Sequence, residues 1–226
     1  MFNNGPQLNS RSVVFNLIAI NVIVFLVSML LHDLTIQWLA LFYPASPFFK
    51  PLQLVGHMFM HGDFTHIFSN MFAVYMFGSI LERVWGPQRF LLFYFVTGFG
   101  AALLHLGVNA WIVHNFTGSL NPDWVSVMEY EPVRDIYTIP TVGASGAVFG
   151  LLVGFGLLFP NTELFLLFFP IPIKAKYFVS LYVIWELVRG IQMNPSDNIA
   201  HFAHLGGALF GFIMIKIWNR NRSHLF

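Results

Sequence analysis

The sequence predicts an all-α polytopic membrane protein, with six transmembrane helices in a single domain over residues 1–226. Three observations predict it. Hydrophobic residues make up 57% of the chain and charged residues 9%, whereas a soluble domain carries about 25% charged residues; the polar surface is too small to cover a water-soluble globule. Apolar stretches at or near the ~20 residues that cross a bilayer recur along the chain. Lysine and arginine gather in alternate connections between those stretches, as cytoplasmic loops do. The net charge of +1 gives no pull toward nucleic acid. With no cysteine, disulfides, thiolate metal sites and cysteine nucleophiles are excluded.

The elements follow in order. Residues 1–12 are polar and form a short cytoplasmic N-terminus carrying Arg11. No small-residue cleavage site follows the first apolar run, Val13–Leu31, which reads as a signal anchor and not a cleaved signal peptide. The connection His32–Thr65 is rich in Trp38, Phe42, Tyr43, Phe48 and Phe49 and is expected to lie in the membrane interface, where aromatic rings prefer to sit. The second and third spans are placed at His66–Leu81 and Phe90–Val108. The stretch Trp111–Thr141, with Asp123, Glu129, Glu131 and Asp135, reads as an ordinary solvated loop. Spans four to six are Ser145–Phe159, Ala175–Gln192 and Ile199–Trp218, and a short cytoplasmic tail covers 219–226. With the N-terminus inside, Arg11, Arg83, Arg89, Lys174, Lys176, Lys216, Arg220 and Arg222 are cytoplasmic, and only Lys50, Arg134 and Arg189 lie outside. Both termini are therefore expected in the cytoplasm.

This topology brings polar residues to one depth. Spans two, four and six all enter from the outer side, so His66, Asn70, Ser145 and His204 fall in the outer third of the membrane. Ionisable and polar groups inside a span are costly and mark function. Span four is also short: Ser145 to Pro160 covers about 22 Å at 1.5 Å per residue, against roughly 30 Å of hydrocarbon. Ser145 is thus expected to be recessed at the floor of a pocket open to the outside. Gly146, Gly150 and Gly154 on span four, and Gly207 and Gly211 on span six, have the four-residue spacing that lets membrane helices approach closely. Taken singly, such glycines mean helix packing alone. Here each of the two helices also carries a polar residue at its outer end.

The chemistry these residues suit is nucleophilic acyl transfer. His204 would take the Ser145 proton and return it to the leaving amine. Soluble serine proteases add an orienting carboxylate, but the outer halves of the spans lack Asp and Glu, and Glu186 reads as lying deeper on span five; a serine–histidine dyad is expected. Phe149, four residues after Ser145, is placed to stack on the His204 ring. His66 and Asn70 share a face at i, i+4, and their N–H groups, with the Ser145 backbone N–H at a helix N-terminus, would stabilise an oxyanion. His201 precedes His204 by three residues, but the spacing to Gly207 and Gly211 favours His204. His57 and His61 are expected to order the outer loop through hydrogen bonds.

The residues His57-Met58-Phe59-Met60-His61, His66-Ile67-Phe68-Ser69-Asn70, Glu82-Arg83-Val84-Trp85-Gly86, Gly143-Ala144-Ser145-Gly146 and Ala203-His204-Leu205-Gly206-Gly207-Ala208-Leu209-Phe210-Gly211 occur in this order over nearly the whole chain. In this arrangement the chain resembles a rhomboid intramembrane serine protease of the six-helix bacterial type. The resemblance implies a Ser145–His204 dyad and an oxyanion site at His66 and Asn70. It also implies cleavage of single-pass membrane proteins in or near their transmembrane segment, without metal, ATP or other cofactor. The expected setting is a bacterial inner membrane, with lipid around the protein and the site open to its outer side. Two other readings stand beside it. A non-catalytic rhomboid-like protein would need neither Ser145 nor His204. A histidine-ligated metal enzyme would use His57 with His61, or His201 with His204, but lacks an HExxH motif and carboxylate ligands.

Overall fold

The computed structural model describes residues 12–166, 169–192 and 200–220; Arg11, Ile199, Arg222 and most of both terminal stretches lie outside them. Helix α1 spans Val13–Leu30. Its first N–H groups have no partner within the helix, and Glu82 supplies one from far along the chain: the carboxylate accepts from the Ser12 hydroxyl at 2.7 Å and from the Val13 and Val14 amides at 2.8 and 3.1 Å. A negative charge at this end also complements the helix dipole.

The connection that follows is built from α2 (His32–Leu39), α3 (Gln53–Gly56) and a 3₁₀ turn at His57–Phe59. Gln53, fully buried, organises it: its Oε1 accepts from the Lys50 amide at 3.1 Å, and its Nε2 donates to the Gln37 and Phe48 carbonyls. Helices α4 (Phe64–Ala73) and α5 (Ser79–Trp85) run on through a π turn at Val74–Gly78. Asp63 caps the start, accepting from the His66 amide at 2.8 Å. Helix α6 (Pro87–Thr117) begins with proline in its first turn and stops at Gly118, whose φ of 71° suits only a residue without Cβ strain.

Helices α7 (Trp124–Glu129) and α8 (Glu131–Thr138) come next, then α9 (Ser145–Leu158), the antiparallel strands β1 (Glu163–Leu166) and β2 (Phe169–Lys174), α10 (Ala175–Gln192) and α11 (His201–Arg220). Helices therefore occupy all six expected segments. Among the described residues four, Val13–Leu30, Phe64–Trp85, Pro87–Thr117 and His201–Asn219, are long and apolar enough to cross a membrane. Helix α9 is shorter, and α10 carries Lys176, Glu186 and Arg189.

Three expectations are corrected. The third helix continues to Thr117, nine residues past its expected end at Val108, because nothing before Gly118 breaks it. The stretch 111–141 is an ordered cap and not a plain loop: Val113, Val127, Val133 and Tyr137 close over Tyr43 in a small core of their own, with Asp123 accepting from the Val125 and Ser126 amides to start α7. The chain is also not wholly α, since the β1–β2 hairpin pairs Glu163 with Lys174 and Leu164 with Ile173; strand β2 carries the β-branched Ile173, which suits an extended backbone.

The centre is a three-helix packing of α6, α9 and α11. Every residue of α9 from Gly146 to Gly156 is buried. A Cβ on Gly207 would run into the Gly146 carbonyl, and one on Gly211 would lie 3.0 Å from the Gly150 Cα. Helices α9 and α11 thus meet backbone to backbone. The missing Cβ atoms of Gly146 and Gly150 themselves point at α6, toward Ala101 and Thr97, so each glycine pair admits two neighbours rather than one.

Candidate active site

Ser145 is the first residue of α9, and the backbone before it is pinned at three points. Leu41 and Thr141 exchange two backbone hydrogen bonds, the Thr141 hydroxyl lies 2.8 Å from His105 Nε2 on α6, and the Gly143 amide donates to the His57 carbonyl at 2.8 Å. Gly143 has φ of 128°, a conformation open to glycine and costly to other residues. A side chain there would also strike His66, so the motif glycine is required twice over.

The Ser145 hydroxyl lies 2.8 Å from His204 Nε2, within hydrogen-bond distance. Phe149, one turn on, lies flat on the His204 ring, with centroids 4.4 Å apart and planes 10° from parallel. Tyr182 of α10 packs on Phe149 at 4.7 Å. The structure therefore brings Ser145, His204 and Phe149 together, with the Gly146–Gly207 and Gly150–Gly211 contacts setting the distance between their helices.

The expectation that no carboxylate reaches this histidine is corrected. Glu186 Oε2 lies 3.0 Å from His204 Nδ1, though off the line of a well-aligned hydrogen bond, and 2.6 Å from His201 Nδ1. Depth counted from the ends of spans five and six misled, because Glu186 is only six residues from the end of α10 and His204 is three from the described start of α11. A modest offset between helices brings them level. Tyr182 and Glu186, at i, i+4, present one face of α10 to this site. The donor atoms of Glu186, His201 and His204 lie within 4.8 Å of one another.

His66 and Asn70 come from α4. A Cβ built on Gly143 would stand 2.7 Å from His66 Nε2 and 3.6 Å from Ser145 Oγ, so the imidazole and the hydroxyl flank one small space. Asn70 is buried and its amide Nδ2 has no hydrogen-bond partner, an available donor of the kind an oxyanion needs. His57 behaves as expected, its Nδ1 within 2.9 Å of the Gln53 carbonyl, and burial lowers its pKa. His61 does not: both ring nitrogens lack a partner, and its ring stands edge-on to His66 at 5.0 Å. Burial first, then the neighbouring His66, push its pKa down to about 3. Sequence reading missed Gln53, His105 and the contacts of Glu186. Only Glu186 left a signal, as a charge inside an apolar segment.

The apolar helices, four of them long enough to cross a bilayer among the described residues, define a membrane protein. Residues 49–221 match the Rhomboid domain, and the chain belongs to the rhomboid family. The matched region leaves α1 outside it. The chain is 33% identical over 173 residues to the mitochondrial RHOMBOID-like protein 12 of Arabidopsis thaliana, covering 76% of this chain and 47% of that protein. It is 28% identical over 162 residues to the mitochondrial Rhomboid protein 1 of Saccharomyces cerevisiae, covering 72% and 40%. The rhomboid protein YdcA of Bacillus subtilis is 28% identical over 162 residues, covering 72% and 64%. The chain thus spans between 40% and 64% of the length of these relatives.

Proposed function

We propose that this chain is an intramembrane serine endopeptidase that hydrolyses peptide bonds in or near the transmembrane segment of single-pass membrane proteins. The observation that carries the reading is the 2.8 Å contact between Ser145 Oγ and His204 Nε2 in a bundle whose core is built of apolar side chains. As Oγ bonds to the scissile carbonyl carbon, its proton passes to Nε2. The charge that develops on the carbonyl oxygen is met by His66, Asn70 and the N-terminus of α9. When the carbon–nitrogen bond breaks, His204 returns the proton to the departing amine, and a water deprotonated by the same ring then releases the acyl group from Ser145.

The lysine and arginine distribution supports six crossings with both termini in the cytoplasm and Ser145 facing the outer side. The short α9, about 21 Å long at 1.5 Å per residue, supports a recessed serine reached by water from above and by lipid-embedded substrate from the side. Resemblance to six-helix bacterial members supports a cell membrane setting. The deciding experiment pairs fluorophosphonate labelling with cleavage of a transmembrane substrate. Wild type should label and cleave, and Ser145→Ala should do neither while keeping its thermal unfolding profile. Substantial cleavage by purified Ser145→Ala would remove the assignment.

A further inference from the structure

Resting on the serine-protease reading above, we propose that Glu186, held in place by His201, is the positioning carboxylate of His204, making a Ser145–His204–Glu186 relay inside the membrane. The two nitrogens of one ring carry the argument. His204 Nε2 faces the Ser145 hydroxyl, and a neutral imidazole that accepts there carries its proton on Nδ1. That Nδ1 faces Glu186 Oε2 at 3.0 Å. The same oxygen is 2.6 Å from His201 Nδ1, a little shorter than the ~2.7–2.9 Å of a charge-assisted N–H···O bond.

Glu186 is only 3% exposed, and a carboxylate left alone at such a place is very costly. His201 satisfies it in the resting enzyme. Glu186 in turn fixes the His204 tautomer and stabilises the imidazolium that forms when the Ser145 proton reaches Nε2; it stays ionised throughout, and the off-axis contact closes as the ring becomes charged. Phe149 keeps the ring in the plane that holds Nε2 toward Ser145 and Nδ1 toward Glu186. Among the described residues, the other titratable groups facing His204 are His66 from α4, His105 from α6 and His201 on its own helix. All are bases, so the carboxylate is the group able to favour a charged ring.

The same three donors are near enough to consider a metal. Around a tetrahedral zinc with bonds of 2.0–2.1 Å, ligand atoms stand ~3.3 Å apart. The separations here, 2.6 and 3.0 Å, are those of groups paired directly.

The test compares wild type, Glu186→Gln, Glu186→Asp and Ser145→Ala in detergent with a transmembrane substrate. Neutralising the orienting carboxylate costs soluble serine proteases about 10⁴ in kcat. Glu186→Gln should lose on the order of 10² or more in kcat with little change in KM. The acidic limb of its kcat/KM profile should move to lower pH, since the charged ring is no longer favoured. Glu186→Asp should recover part of kcat and keep the wild-type limb, a rescue that mere space-filling would not produce. In wild type, ¹⁵N spectra of the histidines should place the resting His204 proton on Nδ1, a readout that needs no folded variant. Wild-type kcat and pH profile in Glu186→Gln, or a resting proton on Nε2, overturns the relay while leaving the serine reading intact if Ser145→Ala is inactive. Cleavage by Ser145→Ala overturns the serine reading itself. Activity lost to a chelator and restored by zinc assigns the three residues to a metal and overturns the relay.

Discussion

A serine hydroxyl is a weak nucleophile at neutral pH, and on the proposed reading Ser145 gains its character from neighbours that come from three other helices. Their separate removal should give distinct kinetic signatures. His204→Ala removes the ring nitrogen 2.8 Å from the Ser145 hydroxyl and, on the proposed reading, should abolish turnover. His201→Ala leaves Ser145 and His204 in contact and should retain much more activity. A reversal of these two effects, measured as kcat with one substrate, would mean that the register of α11 is misread. On the proposed reading Asn70→Ala and His66→Ala act on the oxyanion. Removal of one donor typically costs about 10²–10³ in rate, less where several donors share the charge, so kcat should fall more than KM rises. A rise in KM with kcat intact would make them substrate-binding groups. At this scale the Ser145–His204 and Phe149–His204 contacts and the placing of His66 and Asn70 on one helix were legible because residue spacing is a sequence property. Glu186 was half legible: its presence in span five was plain, but its level relative to His204 depends on how far one helix slides along another. His105 and Gln53 were not legible at all, because they act through backbone carbonyls and a threonine that only the folded loop brings near.

At the scale of elements, close approach of α9 and α11 is what puts a side chain on one within hydrogen-bond reach of a side chain on the other. Gly207 lies against the Gly146 carbonyl with no room for a methyl group. Gly207→Ala should therefore force the helices apart, lower stability by about 1–3 kcal/mol as overpacking does, and weaken fluorophosphonate labelling. Gly107→Ala on α6 is the matched control: nothing lies within 4 Å of its Cβ position, so it should keep stability and labelling. Equal behaviour of the two variants in thermal unfolding would show that the backbone contact is not limiting. The outer connection carries a further dependence through His61. Its unfolded pKa is about 6.5 and its folded value is about 3, so the folded state binds fewer protons between these values. Stability from this residue is full above pH 6.5 and is lost as pH falls toward 3. His61→Phe should flatten that acid slope in unfolding measured against pH; an unchanged slope would assign it to other groups. The ends of α6 and the α7–α8 cap were hard to read from sequence because amphipathic six- to eight-residue helices are held by the small core around Tyr43, not by their own periodicity.

For the whole molecule, the proposed function makes depth and charge set which bond is cut. On that reading the serine at the start of a short helix lies below the outer surface, while the lysine- and arginine-rich connections hold the opposite side inward. A transmembrane helix hides its carbonyls in hydrogen bonds, so a substrate must unwind to present one to Ser145. Glycine and proline lower the cost of unwinding, and the space between Gly143, His66 and Ser145 is narrow. Cleavage is therefore expected near the outer membrane boundary of single-pass proteins, after a small residue and next to helix-breaking ones. Replacing the helix-breaking residues of a substrate with leucine should slow cleavage, and replacing the small residue with a bulky one should block it. Mass spectrometry of the fragments locates the cut directly. A cut mapped to the cytoplasmic end would contradict both the orientation drawn from charge and the depth drawn from the length of α9, since Ser145 would then face the wrong side of the membrane.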